Sequence, residues 1–458
     1  MASDIARHPS SFKDSNGFIF KHNEKYYRCI HASYLEHYQS LMQSGLYDRL
    51  TTGSWLIPHE EIKDDPELSY AGDLIILPQQ VPVITYPYEW SFAMWQDAAL
   101  LTLNIAKASI EKGMMLKDAT PFNIQFVEGK PVFIDTLSFE KYNEQKPWIA
   151  YRQFCECFLA PLLLQHYCHV ETAKIFASYP GGIPLEILKS LLPGKAKWNL
   201  HTYLHVYLQA AMKAGKRKDH AKDANRFSKA KMFLLLNGLI SYVEKLKPRK
   251  NKTTWDDYYA ATILSTQYLQ EKTRLVQAFL ATISFTTMVD LGANDGHFSM
   301  LYKNTGKQVI AVDGDANCIN ELYLQIRQQK ISNILPIINT LHAPSPAIGW
   351  NNEERTSFHD RVRGEVILAL ALVHHLAIAC NIPLEFIVNW LSAMGKYLLV
   401  EFVPKTDEKV KLLLQNREDI FMAYTFEGFE QAFSKKFRIM LQEKITGTDR
   451  VLYLMQIK

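Results

Sequence analysis

The chain has 458 residues, of which 48% are hydrophobic and 21% charged, and its formal net charge is +4. That length suits two to three compact domains, and the balance is ordinary for a globular enzyme, with no dominant disorder-prone tract. So small a surplus does not by itself imply nucleic acid. Met1-Ala2-Ser3-Asp4 leads into polar residues rather than a secretory signal, and the apolar run from Phe158 to Leu164 is interrupted by Pro161, so a cytoplasmic location with no membrane partner is the expectation.

Taken in order, residues 17–30 read as a hairpin and 73–77 and 83–86 as strands. Tyr86-Pro87-Tyr88 reads as a hinge and residues 91–112 as a long helix. Lys117-Asp118-Ala119-Thr120-Pro121-Phe122-Asn123 comes next. After it stand two short apolar runs, 124–127 and 131–134, joined at Glu128-Gly129-Lys130 and closed by Asp135. This is a tight hairpin between polar groups. Residues 153–245 read as helices broken at Pro180-Gly181-Gly182 and Pro193-Gly194.

Six cysteines, Cys29, Cys155, Cys157, Cys168, Cys318 and Cys380, are spaced as reduced thiols rather than a disulfide framework. Cys155, Cys157, Cys168 and His169 invite a metal check, but residues two apart on a helix point away from each other, which favours buried thiols. Lys213, Lys216, Arg217, Lys218, Lys222, Arg226, Lys229 and Lys231 crowd one stretch, and Lys245, Lys247, Arg249, Lys250 and Lys252 another. Such runs either grip phosphates or form a solvated linker, and few aromatics interleave to stack bases.

Tyr258, Tyr259 and Lys272 lie on a segment where Leu264, Tyr268, Leu275 and Phe279 recur at helical spacing, a helix suited either to lidding a ligand or to core packing. Thr287-Met288-Val289-Asp290-Leu291 then reads as a buried strand entering the turn Gly292-Ala293-Asn294-Asp295-Gly296 and a helix. Seventeen residues past Gly296, the strand 308–312 delivers Asp313 at its carboxyl end, where an open α/β sheet places a carboxylate against ribose hydroxyls. Gly292 and Gly296 let backbone approach a ligand with no Cβ in the way, and Asn294 is a residue that tolerates positive φ. Strands follow at 334–338, 364–371, 397–402, 437–441 and 451–455, with a helix at 387–394. His342-Ala343-Pro344-Ser345-Pro346 stiffens a loop running to Trp350, which either stacks on a substrate ring or packs on its own domain.

Asp290-x-Gly292-x-Asn294-x-Gly296 with Val312-Asp313-Gly314-Asp315 resembles motifs I and II of the class I S-adenosylmethionine-dependent methyltransferases, and G-x-G-x-x-G of nicotinamide and flavin enzymes is absent. The resemblance covers residues 252–458 and implies a Rossmann-like, seven-stranded α/β sheet with an antiparallel strand near the end. It implies that Asp290, Gly292, Asn294 and Gly296 cradle the methionine part of S-adenosylmethionine, that Asp313 holds the ribose, and that Asn339 borders the adenine. Chemistry is then expected at the carboxyl ends of strands four and five, at His374, His375 and Glu401. A histidine that titrates near working pH suits removal of a proton from a hydroxyl acceptor. Capping or core packing is the competing role for each histidine, and solvated strand end that for Glu401.

Asp118, with Asn123 five positions on, a hairpin, and then Asp135, resembles the catalytic segment of protein-kinase-like phosphotransferases. This implies an α+β kinase-like domain at 1–245, with a small lobe about 12–89 and a helical lobe about 90–245. Asp118 would be its base, and Asn123 and Asp135 its magnesium ligands for Mg-ATP. Departures point to a degenerate site: no glycine-rich loop, Lys25 and Arg28 poorly suited as the strand lysine, Leu116-Lys117-Asp118 for His-Arg-Asp, and Thr136-Leu137 for Phe-Gly. With 147–155, 369–376 and 401–405 added, nearly the whole chain resembles a bacterial methyltransferase group that includes a rhizobial host-range nodulation protein. The implied activity is methylation of a small-molecule or glycan-like acceptor. A bifunctional kinase–methyltransferase and an RNA methyltransferase using the basic linker are the alternatives.

Overall fold

The computed structural model describes residues 6–63, 68, 73–144, 146–214, 228–249, 266–415 and 417–458. Tyr258, Tyr259, Leu264 and the basic positions 216–226, 250 and 252 lie outside the described residues. The chain divides into two compact units, one of Met1–Asn251 with Ala347–Thr356, the other of Lys252–Pro346 with Ser357–Lys458. The stretch 347–356 therefore belongs with the first unit, although the strands flanking it in sequence belong to the second.

In the first unit, β1 (Gly17–His22), β2 (Lys25–Ile30), β3 (His59–Ile62) and β4 (Leu74–Pro78) form an antiparallel sheet in the order β1-β2-β4-β3. Alternation puts Phe18, Phe20, Tyr27, Cys29 and Ile75 into one apolar cluster and Ile30, Tyr34, Tyr38 and Ile76 into another. The expected strand at 83–86 does not form. Those residues lie outside any ladder, and the side chain of Gln125 takes up the backbone of Thr85, accepting from its N–H at 2.8 Å and donating to its carbonyl at 3.0 Å. A helix at Phe92–Glu111 follows, buried on most sides, with Trp95 wholly enclosed. Then come β5 (Met114–Leu116), the hairpin β6 (Ile124–Val127) and β7 (Lys130–Phe133), and β8 (Phe139–Lys141). Glu128 and Gly129 turn that hairpin at positive φ, 51° and 73°, as a two-residue connection requires. The rest of the unit is helical, and Cys155 and Cys157 are buried free thiols there.

The second unit is a sheet of seven strands: β9 (Thr287–Leu291), β10 (Gln308–Asp313), β11 (Ile334–Ile338), β12 (Val366–Ala369), β13 (Tyr397–Phe402), β14 (Phe437–Lys444) and β15 (Val451–Ile457). Their order is β11-β10-β9-β12-β13-β15-β14. The first five are parallel and β15 is inserted antiparallel between β13 and β14. The parallel strands are apolar on both faces because helices cover both sides. Among those helices are Thr266–Ala281, Ala316–Gln329 and Leu384–Met394. The order reverses between β9 and β12, and ligands of open α/β sheets bind at the carboxyl ends of strands flanking such a reversal.

Candidate functional site

β9 ends in a turn whose backbone is set by three residues at positive φ: Gly292 at 75°, Asn294 at 51° and Gly296 at 83°. At Gly296 the missing Cβ leaves room for a neighbouring side chain of the same unit, whereas at Gly292 the space would admit ordinary contact. A Cβ on Gly292 would touch Leu372 Cδ1 at 3.4 Å, and one on Gly296 would collide with Leu322 Cδ1 at 2.5 Å. The helix after the turn is a single turn, His297–Met300. Asp290 is buried beneath it and accepts a hydrogen bond from Ser299 Oγ at 2.7 Å. Burial pushes its carboxyl up to about 6. Asp290 thus braces the turn from below rather than facing outward.

The turn and the end of β10 are joined directly. Asn294 N–H donates to Asp313 Oδ2 at 2.8 Å, Asp315 N–H donates to Asp313 Oδ1 at 2.8 Å, and the Gly292 and Ala293 N–H groups donate to Val312 O. Burial raises the Asp313 carboxyl against these backbone donors. Each of its oxygens keeps a further lone pair for a hydroxyl. Asp315 caps the helix Ala316–Gln329. Asn339, just past β11, donates from its backbone N–H to Asp313 O at 2.8 Å and from Nδ2 to Ser345 Oγ at 2.8 Å. Its Oδ1 is buried and has no hydrogen-bond partner among the described residues. Gly292, Asn294, Asp313 and Asn339 therefore form one continuous rim. A nucleoside with ribose hydroxyls and an exocyclic amine fits this donor and acceptor set, because the unpaired Asn339 oxygen then gains a donor.

After β12 the chain turns through Ala371, which sits at φ 51° and carries no sequence signal for it. The strain of a left-handed alanine, about 1–2 kcal/mol, is of the kind stored at functional sites. The turn brings Leu372 against Gly292 and starts the helical segment that carries His374 and His375. The two rings stand 4.0 Å apart. His374 is wholly buried, and neither ring nitrogen has a partner among the described residues. Burial first, then the charges of His375, Arg450 and Lys272, drive its pKa well below the ordinary value. His375 falls to about 4 through burial and the charges of Arg450 and Lys409. The expectation of a histidine titrating near working pH is thus corrected: both rings are neutral there.

Glu401 on β13 is neither a solvated strand end nor a free base. It is fully buried at the centre of an ionic cluster, with Lys272 Nζ 2.6 Å from Oε2 and both Tyr268 OH (2.8 Å) and Arg450 Nη1 (3.3 Å) donating to Oε1. Arg450 also clamps Asp407 through Nε at 2.8 Å and Nη2 at 3.1 Å. Burial works to raise the Glu401 carboxyl, but Lys272 and Arg450 outweigh it and hold the group ionised, below the usual carboxylate range. Lys272, on the helix expected to act as a lid, also lies 4.9 Å over the Phe298 ring behind the glycine turn. Arg450 and Asp407 were missed from sequence, since nothing local marks either. Beside the end of β13 is a cavity of about 360 Å³ lined by Phe402, Tyr424 and Phe426 with Lys405, Thr406 and Asp449.

In the first unit Asp118, Asn123 and Asp135 do come together, around Ser138. Asn123 Nδ2 donates to Asp118 Oδ2 at 3.2 Å and to Ser138 Oγ at 3.1 Å, and Ser138 Oγ donates to Asp135. Gln153 holds the other Asp118 oxygen at 2.6 Å, and burial with the charge of Asp135 raises the Asp118 carboxyl. Arg28, set aside from sequence, ion-pairs with Asp135 and reaches Asp14 at 3.0 Å. The proposed metal carboxylate thus already carries a cation. Cys29, His31 and Asp73 also lie together, but Asp73 is taken up by hydrogen bonds from Ala32 N at 3.0 Å, His31 at 2.9 Å and Cys29 at 3.3 Å, which closes the group on itself.

The strand order, the antiparallel seventh strand and the rim built on Asp313 are those of the class I S-adenosylmethionine-dependent methyltransferase fold. No protein-family model matches the chain. Nodulation protein NoeA of Rhizobium meliloti (strain 1021) is 31% identical over 452 residues, covering 97% of this chain and 94% of that protein, and the chain belongs to its family. Among solved structures, the N-methyltransferase NodS of Bradyrhizobium japonicum WM9 in complex with S-adenosyl-L-homocysteine is 11% identical. It covers 44% of this chain and 92% of its own, with a TM-score of 0.33. Magnesium protoporphyrin IX methyltransferase of Synechocystis PCC 6803 with bound S-adenosylmethionine is 13% identical over 45% of this chain and 92% of its own, with a TM-score of 0.31. WbdD is 13% identical over 47% of this chain and 46% of its own, with a TM-score of 0.31.

Proposed function

We propose that the second unit transfers the methyl group of S-adenosylmethionine to a hydroxyl or carboxyl oxygen of a small, carbohydrate-like acceptor. The observation that carries this reading is the hydrogen bond from Asn294 N–H to Asp313, which fixes turn and carboxylate as one rim. Gly292, Asn294, Asp313 and Asn339 would hold the cofactor, and Asp290 supports the turn. The cofactor supplies an electrophilic methyl group on a sulfonium. His374, neutral and with unpaired ring nitrogens, would orient the acceptor hydroxyl by accepting its hydrogen bond and would take its proton. Glu401 acts at one remove, by holding Lys272 and Arg450 in place. The cavity lined by Phe402, Tyr424 and Phe426 offers ring faces, with Lys405 and Asp449 as polar groups, the mixture that suits a sugar.

Calorimetry with S-adenosyl-L-homocysteine on the parent chain and on Asp313→Ala tests the cofactor site. Loss of hydrogen bonds to a charged group costs about 1.5–3 kcal/mol, or roughly tenfold to over a hundredfold in affinity. Failure of the parent to bind, or equal binding by both proteins, refutes the reading.

For the first unit we infer a kinase-like fold that has lost phosphotransfer. The gathering of Asp118, Asn123 and Asp135 about Ser138 supports the descent, and the Arg28 ion pair on Asp135 supports the loss.

A further inference from the structure

The helical run Leu200–Thr202, Tyr203–Leu208 and Gln209–Ala214 in the first unit is amphipathic in the wrong sense. Its inward face carries Thr202, His205, Val206, Tyr207 and Ala210. Every exposed position from 200 to 212 is uncharged and apolar or aromatic: Leu200, Tyr203, Leu204, Leu208, Ala211 and Met212. Leu200 is 67% exposed and Met212 65%, and Trp198, just before the run, is 90% exposed. Leu200, Leu204, Leu208 and Met212 recur every four residues. At 3.6 residues per turn that spacing drifts by about 40° per step, and the wider π turn at 203–208 takes up the drift, so the four side chains form a stripe. A surface helix normally hides such a stripe, and a contiguous exposed one marks a docking surface.

We propose that this face docks on an anionic lipid surface. Charge selects the occupant. Lys195 and Lys197 are exposed just before Trp198, and Lys189 is exposed on the preceding helix. A leucine and methionine stripe with tryptophan at its edge and lysines around it is the composition of a helix lying in the headgroup boundary of a bilayer. A second copy is disfavoured, because a twofold pairing through the stripe brings Lys195 and Lys197 at its edge toward their own images. No described helix is long and apolar enough to cross a membrane. The contact is therefore peripheral, and it departs from the expectation of no membrane partner.

Sedimentation of the full chain with vesicles tests this. The parent should pellet with vesicles of equimolar phosphatidylcholine and phosphatidylglycerol, and weakly with phosphatidylcholine alone. Leu204→Glu with Leu208→Glu should weaken binding at least tenfold, Trp198→Ala should weaken it several-fold, and Lys195→Glu with Lys197→Glu should remove the preference for the anionic vesicles. All three should keep the parent's melting temperature. The proposal is overturned if the parent ignores anionic vesicles or if Trp198→Ala and the glutamate pair bind as the parent does. It is equally overturned if the glutamate pair instead lowers the melting temperature, as a stripe covered by the chain itself would, or abolishes a lipid-free dimer.

Discussion

Replacing Glu401 by Gln keeps the shape of the side chain and an oxygen for Tyr268, but removes one negative charge from the buried group of Lys272, Arg450, Glu401 and Asp407. Arg450 then keeps Asp407 as its partner, and Lys272 loses its own. Lys272, which sits 2.6 Å from the lost charge and is as buried as Glu401, has no other carboxylate in ion-pair contact among the described residues. Breaking a buried pair from one side costs about 3–5 kcal/mol. For a unit of roughly 200 residues each kcal/mol shifts the midpoint by about 2–4 °C, so Glu401→Gln should unfold some 6–20 °C below the parent in a thermal scan. Lys272→Met added to Glu401→Gln removes the orphaned cation and should recover much of the loss. The sign with pH follows from the depressed Glu401 pKa. Its contribution is present above the unfolded carboxylate value and disappears as pH falls through the lower folded one, so the gap between variant and parent should close in acid. A Glu401→Gln protein as stable as the parent at neutral pH, or a double variant worse than the single, would refute the assignment of Glu401 to a buried electrostatic anchor.

Gly296→Ala should cost about 2–4 kcal/mol in denaturant unfolding, from left-handed backbone and collision with Leu322; adding Leu322→Ala relieves only the collision, so Gly296→Ala at no cost would discredit the turn geometry. Because both histidines lie far below their ordinary pKa, kcat against pH should show no histidine break between about pH 6 and 8, while His374→Ala lowers kcat at every pH; a break near 6.5 that vanishes in His375→Ala would reverse the roles. Arg28→Ala leaves Asp14 and Asp135 without their shared cation, so millimolar magnesium should raise the melting temperature of the variant and not of the parent. An equal magnesium effect on both would show that Arg28 does not block that carboxylate.

The parallel strands were legible because each is a short apolar run bounded by turn residues, and covering on both faces is what makes them apolar throughout. The glycine turn and Asp313 were legible for a related reason. Positive φ leaves a glycine or asparagine in the sequence, and a strand end leaves a polar residue after an apolar run. The 83–86 segment misled because β-branched and aromatic composition is the same whether the backbone pairs with a strand or with the side chain of Gln125.

Local pattern thus determined the sheet, its turn and the residues at its carboxyl ends, since backbone sterics and burial of alternating side chains act over a few positions. What those residues do was decided only by tertiary contacts. Arg450, 49 residues from Glu401, turns a candidate base into an anchor. Arg28, 107 residues from Asp135, occupies a carboxylate that the motif assigns to a metal. Charge acts through space and burial strengthens it, so the state of a titratable group depends on distant partners that its own neighbourhood in the chain does not contain.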